Sequence, residues 1–393
     1  MPVFVPSSER DLRLDLFRGL ANWAIFLGHI PDTALAWLTT RNYGFSDGAD
    51  LFVFVSGYTA TLVFGKMMAQ RGFVIGATRL FKRVWQLYVA HALLFLFYLT
   101  AVHYLAHRFN ISHLMDQFNV ARLMDFPVET LAEGLILKFK PLNLDVLPLY
   151  IVLMGLFPPV LWLMIRHRNW AMFASIALYL AARHFQVNLP SYPSGEWFFN
   201  PFTWQLLFVL GAWLAAGGAR TIRPLVDAPL AAVASILFLL FALAATLSVR
   251  RPDLQGPFLI ALFEPFTPND KTNLAPYRII HLLALALLVV KYIHFDWPGL
   301  KWPMFRPVIK CGQQSLEVFC VGVFLSFIAH FVLETTSNTF PTQVLVGVGG
   351  LSLMTAVAYY RSWSKRIDRA AGVSQPISPV DSANGSLPHR PLA

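Results

Sequence analysis

Residues 229–248 read PLAAVASILFLLFALAATLS, twenty consecutive residues without a charge. About 20 apolar residues in an α-helix cross the hydrocarbon core of a bilayer. The whole chain shares this character, since 56% of its 393 residues are hydrophobic and 13% are charged, whereas soluble domains carry about 25% charged residues. A soluble chain of this length could not keep so much apolar surface away from water. The sequence therefore predicts an all-α, polytopic membrane helix bundle.

About ten segments are apolar enough to be transmembrane helices, which gives one membrane domain over residues 14–360. A short segment, 1–13, precedes it, and no signal-peptide cleavage site follows, so the first span is expected to stay as an anchor. Residues 361–393 form a basic tail, which turns rich in Pro, Ser, Gly and Asn from about 370 and is predicted to be disordered there. The predicted spans are 14–37, 49–66, 79–104, 143–165, 169–187, 200–218, 226–248, 273–293, 310–333 and 341–360.

Lys and Arg concentrate in alternate loops between these spans. Of the short loops on the other side, 38–48 holds only Arg41, and 334–340 holds neither Lys nor Arg. Basic loops stay in the cytosol, so this alternation predicts that both termini are cytosolic. It also accounts for the net charge of +10 without a nucleic-acid partner. The basic residues of the cytosolic loops and tail are Lys66, Arg71, Arg166, Arg168, Arg220, Arg223, Lys291, Lys301, Arg306, Arg361, Lys365, Arg366 and Arg369.

Four polar residues, Asp15, Arg18, Asn22 and His29, share one stripe of the first predicted helix. At about 100° per residue they fall within an arc of roughly 60°. Arg18 and His29 are about 16 Å apart along a straight helix, which suits a long ligand such as coenzyme A. Arg18 would hold a phosphate at the cytosolic end, and His29 would act as general base at the thioester. The alternative is a stripe of interhelical hydrogen bonds.

Three ordered motifs in the first quarter of the chain resemble the acyltransferase-3 family of membrane enzymes. They are LDLFRGLA at 14–21 running on to His29, GADLFVFVSGY at 48–58, and RLFKR at 79–83. The resemblance implies transfer of an acyl group from acyl-CoA to a hydroxyl, with His29 as the catalytic base or as the site of an acyl intermediate. Asp50 opens the second span, where it either caps the helix or orients His29.

Four further stretches are similar to one branch, the OpgC family, which succinylates osmoregulated periplasmic glucans. They are LDVLPLY at 144–150, NPFTWQ at 200–205, DKTNL at 270–274 and GQQSLEVFC at 312–320. The resemblance implies a bacterial inner-membrane enzyme that takes acyl-CoA, with succinyl-CoA expected, from the cytosol and a glucan from the periplasm. No permanently bound cofactor is implied. A glucan synthase and a second copy of the chain remain open as partners.

The residues expected at the acyl-CoA end lie on several spans. Arg79, Lys82 and Arg83 share one helical side and would bind phosphate, unless they only anchor the helix in the membrane. Ser56 could instead bond a backbone carbonyl. Glu317 would pair with Arg18 or Arg79, or would form a purely structural pair. The complete set is Asp15, Arg18, Ser56, Tyr58, Arg79, Arg83 and Glu317.

A second set is expected at the periplasmic end to bind glucan and the acyl group. Lys271 is the favoured partner of an anionic acyl group, with Arg278 as the alternative. The aromatic residues around Asn200 and Trp204 form either a platform for sugar rings or an aromatic belt at the membrane interface. The stretch 113–137 of the outer loop 105–142 is expected to be an amphipathic helix that covers the bundle mouth or acts as a lid. The set is Asp145, Asn200, Trp204, Gln205, Lys271 and Asn273.

Other chemistries find less support in the sequence. His103, His107 and His113 have ligand-like spacing, but no carboxyl or thiol cluster accompanies them, so no metal site is expected. A Gly-rich phosphate loop is absent, and the helix spacing of Cys311 and Cys320 is too long for a disulfide. The rival functions are acetylation of another surface polysaccharide and transport of a sugar or acyl carrier. Transport is disfavoured because no internal repeat is visible.

Overall fold

The computed structural model describes residues 11–250 and 257–373. Within these ranges all regular elements are helical, apart from one isolated β-bridge between Pro190 and Glu196. The α-helices in chain order are α1 (Leu12–Gly28), α2 (Gly48–Ala60), α3 (Lys66–Arg71), α4 (Phe73–Arg108), α5 (His113–Gln117), α6 (Arg122–Asp125), α7 (Pro127–Leu135), α8 (Val146–His184), α9 (Pro201–Trp213), α10 (Ala219–Asp227), α11 (Pro229–Arg250), α12 (Pro257–Phe263), α13 (Pro276–Tyr292), α14 (Arg306–Gln313), α15 (Ser315–Thr335) and α16 (Phe340–Val373).

Seven helical stretches among the described residues are long and apolar enough to cross a membrane. In two of them a π-helical turn joins successive helices, at Thr61–Gly65 between α2 and α3 and at Leu214–Gly218 between α9 and α10. The chain is therefore an all-α, multi-pass membrane protein. The seven stretches are Gly48–Arg71, Phe73–Arg108, Val146–His184, Pro201–Asp227, Pro229–Arg250, Ser315–Thr335 and Phe340–Asp368.

The difference from ten spans has identifiable origins. Two predicted spans correspond to α1 and α13, which have 17 residues each. The predicted spans 143–165 and 169–187 both fall within α8, whose backbone leaves the helical region at His167 (φ −140°, ψ 68°). The count of about ten therefore stays a prediction.

The first span is shorter than the predicted range 14–37, because α1 ends at Gly28 and His29 is its C-cap. Pro31 has no backbone N–H and disfavours helix at the residue before it, and Asp32 has a positive φ of 52°. Short 3-10 turns follow instead. At the other end of the chain, α16 extends to Val373, past the predicted end at 360. The sequence predicts disorder from about residue 370, but residues 370–373 are helical, and residues 374–393 lie outside the described residues.

The two ends of the bundle differ in the loops that meet there. The His29 face is the end at which α1, α4, α11 and α15 finish and α2, α8, α9, α13 and α16 begin. Hydrogen bonds join the loops at this face. Asn143 Nδ2 donates to the backbone oxygen of His29 at 3.3 Å, and the Asn200 amide donates to the Thr272 carbonyl at 3.1 Å. Arg18 lies towards the opposite face of the bundle, near the start of α1.

Close helix contacts at glycine position the second helix. A Cβ on Gly57 would lie 1.9 Å from the backbone oxygen of Phe208, and one on Gly211 would lie 2.1 Å from that of Phe54. Such contacts let the backbones of α2 and α9 touch, as small residues do in membrane helix pairs. Because α2 also packs against α1, this pairing fixes the start of α2 beside His29.

The predicted amphipathic helix over 113–137 is instead three short helices, α5, α6 and α7. The breaks fall where Asn119 adopts a positive φ of 54° and at Phe126, ahead of Pro127. Phe118 is fully buried and packs edge-on against Phe327 of α15, with ring centroids 5.0 Å apart. The segment therefore packs into the His29 face, as a structural cover would.

Candidate active site

His29 lies in the wall of a small cavity at the end of α1. The cavity has a volume of about 60 Å³ and is lined by residues of α1, the following loop, the start of α2, the start of α8, and the loop before α13. The Nδ1 atom of His29 is buried and has no hydrogen-bond partner among the described residues. Buried polar atoms are usually satisfied, so an unsatisfied imidazole in a cavity is a candidate for proton chemistry. The lining residues are Ala24, Ile25, Gly28, His29, Thr39, Arg41, Asp47, Gly48, Ala49, Val146, Phe199 and Lys271.

An ion pair forms part of this cavity wall. Lys271 Nζ lies 2.6 Å from Asp47 Oδ2, and both residues are within electrostatic reach of the His29 imidazole. Asp47 is the N-cap of α2, where its Oδ1 accepts from the Ala49 amide at 2.9 Å. Burial opposes ionisation of Asp47, yet Lys271 and Arg278 hold the pKa of its carboxyl below its ordinary value. Asp47 is therefore a carboxylate that keeps Lys271 in the wall.

A second, deeper pair lies behind it. Arg278 Nη2 donates to Asp50 Oδ2 at 2.6 Å and its Nε to Asp50 Oδ1 at 3.3 Å, with both residues almost fully buried. Asp50 Oδ2 also accepts from the Asp47 amide at 2.9 Å, which completes a capping box. The expected helix-capping role of Asp50 is present in this form, with Asp50 as the third residue of α2 and Asp47 as its N-cap. Both of its oxygens are engaged in this way, and its contacts lead to Arg278 rather than to His29.

The expected glucan-binding residues Trp204, Asn200 and Asn273 hold the loop that carries Lys271. Trp204 is fully buried and its Nε1 donates to the Lys271 carbonyl at 2.9 Å. Asn200 caps α9 by accepting from the Phe202 amide at 3.0 Å, and its Nδ2 donates to Asn273 Oδ1 at 2.9 Å. In this arrangement these three side chains position the cavity wall, and the aromatic ring of Trp204 is not exposed for stacking on a sugar.

Gln205 and Asp145 occupy the same end of the bundle with different surroundings. Gln205 is bonded to Ser175 of α8, accepting from its hydroxyl at 2.6 Å and donating to its carbonyl at 2.9 Å. Asp145 precedes α8 and lies within electrostatic reach of Lys140 and Lys271. Burial lowers the pKa of Lys140 to about 8, with Asp145 acting in the opposite direction. Asp145 is thus an acidic residue within electrostatic reach of two cations, of which Lys271 lines the cavity.

The polar stripe of α1 faces the bundle interior, as expected. Asp15 and Asn22 are buried, and Arg18 is half-buried. Asn22 Nδ2 donates to Ser315 Oγ at 3.2 Å, and Gln313 Nε2 lies 3.5 Å from Asp15 Oδ2. The stripe therefore lies against the junction of α14 and α15, and the part around Asn22 does form the interhelical hydrogen bonds of the alternative interpretation.

Glu317 has different partners from those expected. Its Oε1 accepts from Arg361 Nη2 at 3.1 Å and lies 3.5 Å from Lys365 Nζ, both on α16. The expected pairing with Arg18 or Arg79 is wrong, because the extension of α16 beyond residue 360 brings two cations beside α15. Glu317 is thus held by two cations of α16, and the three side chains are partly exposed.

The remaining expected acyl-CoA residues lie on α2 and α4. Ser56 is fully buried, and its hydroxyl has no hydrogen-bond partner among the described residues, so the carbonyl bond suggested for it is not formed. Tyr58 lies within electrostatic reach of Asp11. Arg79 is exposed, whereas Arg83 is half-buried and donates to Gln86 at 3.2 Å.

Two residues of the cavity, Asp47 and Arg41, were not singled out from the sequence. Asp47 stands three residues before Asp50, and that spacing is the signal of a capping box. Arg41 is the one basic residue of its loop, on the side where the alternation of charge leaves few cations. In the part of the chain described by the structure, no group of three or more His, Cys, Asp or Glu residues is arranged to hold a metal ion.

The fold and site define a multi-pass membrane protein with an unsatisfied imidazole in a small, charged cavity at one end of its first helix. The chain belongs to the OpgC family: the family model described as OpgC protein matches residues 10–366, which covers the whole membrane domain. This membership suggests acyltransferase activity and a glucan substrate. Comparison with curated proteins and with solved structures gives no significant match.

Proposed function

We propose that this protein transfers a succinyl group from cytosolic succinyl-CoA to a hydroxyl of a periplasmic glucan. The observation that carries the proposal is the position of His29, unsatisfied in a cavity at the opposite end of α1 from Arg18, in a chain of the OpgC family. The proposal places both termini in the cytosol, about ten spans in the bacterial inner membrane, and the His29 face towards the periplasm.

The donor would enter from the opposite face. Arg18 lies on α1, Arg83 on α4 and Glu317 on α15, and α15 packs against both α1 and α4. Arg83 and Glu317 both lie within electrostatic reach of Cys320 on α15, which places them in one region. We expect Arg18, Arg79 and Arg83 to bind the coenzyme A phosphates, with Asp15, Ser56 and Tyr58 nearby. The roughly 16 Å from Arg18 to His29 along α1 would be spanned by the extended arm of the coenzyme.

The reaction requires His29 to take up one proton and then to give it away. The imidazole takes the proton of the glucan hydroxyl while that oxygen attacks the thioester carbonyl. The carbon–sulfur bond then breaks, the ester oxygen stays on the glucan, and the coenzyme A sulfur leaves and takes the proton back from the imidazolium. A base and two substrates held in one small cavity supply proximity as well as proton transfer.

The size of the cavity favours a short acyl group. A volume of about 60 Å³ holds only a few water molecules, so an acyl group bound within it would be short, as acetyl and succinyl are. Lys271 lines the cavity, and we expect it to surround the acyl group and the acceptor hydroxyl together with Asn273 and Asp145. Asn200, Trp204 and Gln205 would support them from behind.

Purified protein incubated with succinyl-CoA and glucan tests the proposal through release of the coenzyme A thiol and the mass of the product glucan. We expect thiol release that depends on the glucan and one added succinyl group per thiol. Parallel incubation with acetyl-CoA separates a succinyltransferase from an acetyltransferase. If the protein releases no thiol with either donor, it is not an acyltransferase of this kind. A transporter would give that result.

A further inference from the structure

The charges of the His29 cavity do not balance. Lys271 is paired with Asp47 at 2.6 Å, and Arg278 is paired with Asp50 at 2.6 Å, so these two cations and two carboxylates compensate one another. Arg41 also lines the cavity but forms no ion pair with a carboxylate among the described residues. It is the cation of the cavity wall whose charge is left over.

Arg41 is held close to His29 by the backbone. Its Nη1 donates to the Gly28 carbonyl at 2.9 Å, and Gly28 directly precedes His29. Its charge is within electrostatic reach of the His29 imidazole. A guanidinium has five N–H donors in a planar fork, and this single bond leaves the others available. The side chain is exposed, so a ligand in the cavity can reach it.

The surroundings of Arg41 add further positive charge. Arg250, at the end of α11, lies within electrostatic reach of Arg41 and likewise has no carboxylate partner among the described residues. Two neighbouring cations repel each other, and an anion placed between them and His29 would relieve that repulsion. Among the described residues, the part of the cavity wall around Arg41 therefore carries positive charge that no carboxylate pairs with.

Resting on the proposed function, we infer that Arg41 is the residue that binds the terminal carboxylate of the succinyl group and selects succinyl over acetyl. The sequence favoured Lys271 for this role, but Asp47 already neutralises that ammonium. The carboxylate of a succinyl thioester lies roughly 4 Å beyond the thioester carbonyl, three carbon–carbon bonds of about 1.5 Å. Arg41 is bonded to Gly28, the residue before His29, and lines the same cavity as His29, and the planar fork of its guanidinium matches a carboxylate.

A structural alternative exists for Arg41, because a cation at the end of α1 also satisfies the helix carbonyls and the helix dipole. The two roles differ in the donor that they affect. A cap would act on both acyl donors alike through the position of His29, whereas a carboxylate-binding residue acts on succinyl transfer alone. The ratio of the two transfers therefore separates them, and acetyl transfer reports that the variant is folded.

The experiment gives the purified wild-type protein and the variants Arg41→Gln, Arg41→Lys and Lys271→Gln an equal mixture of succinyl-CoA and acetyl-CoA with glucan. Mass spectrometry of the glucan gives the ratio of succinyl to acetyl. A charged hydrogen bond contributes about 1.5–3 kcal/mol, so Arg41→Gln should lower that ratio by about 10- to 150-fold while acetyl transfer persists. Arg41→Lys should keep much of the preference, and Lys271→Gln should reduce both transfers together.

Each other result overturns the inference. An unchanged ratio in Arg41→Gln, or equal loss of both transfers, leaves Arg41 with a capping role or a role in binding the glucan. A selective loss of succinyl transfer in Lys271→Gln, with none in Arg41→Gln, moves the carboxylate to Lys271. A wild-type protein that transfers neither group refutes the proposed function and this inference with it, whereas the preceding results refute the inference alone.

Discussion

His29 is the residue on which the proposed chemistry depends. Its unsatisfied Nδ1 in the cavity leads us to expect that His29→Ala loses about 100- to 10,000-fold of the acyl transfer rate, the usual effect of removing a general base. His103, another histidine near the His29 face, does not line this cavity, so His103→Ala serves as the matched control. Thiol release by the two purified variants makes the comparison. Comparable activity in both would exclude His29 as the base.

The two charged residues proposed for the donor end should behave differently. Arg18→Ala should weaken coenzyme A binding by about 1.5–3 kcal/mol if it contacts a phosphate. Glu317 is partnered by Arg361 and Lys365 with partly exposed side chains, and such pairs contribute about 0–1 kcal/mol. Glu317→Gln should therefore leave the affinity nearly unchanged. Isothermal titration with coenzyme A measures both, and equal affinities for Arg18→Ala and wild type would assign Arg18 to helix packing.

At the scale of helices, the Asp50–Arg278 pair joins the start of α2 to the start of α13. Arg278→Gln leaves the Asp50 carboxylate buried and uncompensated, which typically costs about 3–5 kcal/mol of folding free energy. Arg223, whose pair with Asp227 is 78% and 66% exposed, is the control, since Arg223→Gln should cost less than about 1 kcal/mol. Thermal unfolding in detergent compares them. Equal unfolding temperatures would mean that the buried pair does not hold α2 to α13.

Because α2 and α9 are in contact, replacing glycine by alanine should change the stability of the protein in opposite directions at two positions. Alanine in place of a helical glycine normally stabilises by about 0.5–1 kcal/mol, and Gly349 on α16 has open space around its Cβ position. Gly57 faces the Phe208 backbone at 1.9 Å, where overpacking costs about 1–3 kcal/mol. Gly349→Ala should therefore raise the unfolding temperature and Gly57→Ala should lower it. A rise in both would show that the two backbones are not in contact.

The apolar segments predicted from the sequence coincide with helices of the structure. Such segments can be predicted because the length and hydropathy of a segment decide whether it can cross a bilayer. The inward polar stripe of α1 was likewise predictable from helical periodicity. The contacts of Asp47 with Lys271 and of Asp50 with Arg278 join residues 224 and 228 positions apart, and no local pattern specifies such partners. Glu317 was given the wrong partners for the same reason, since they follow from an extended α16.

At the scale of the whole molecule, the proposed reaction uses substrates from two compartments. The basic residues that alternate along the chain predict one face in the cytosol, and the charged cavity at His29 lies at the other end of α1. In the proposed function the donor comes from the cytosol and the acceptor from the periplasm, so the enzyme would act across the bilayer. The central claim is that the donor and the acceptor reach His29 from opposite sides.

Lipid vesicles containing the protein test this claim most directly, with succinyl-CoA enclosed in the lumen and glucan added outside. We expect succinylated glucan to accumulate outside while thiol accumulates inside, and His29→Ala to abolish both. When the vesicles are made permeable, protein molecules inserted in the opposite orientation can also react. The amount of succinylated glucan should then rise only by the contribution of those molecules. Transfer that occurs only when donor and acceptor share one side, or that persists in His29→Ala, would contradict the account.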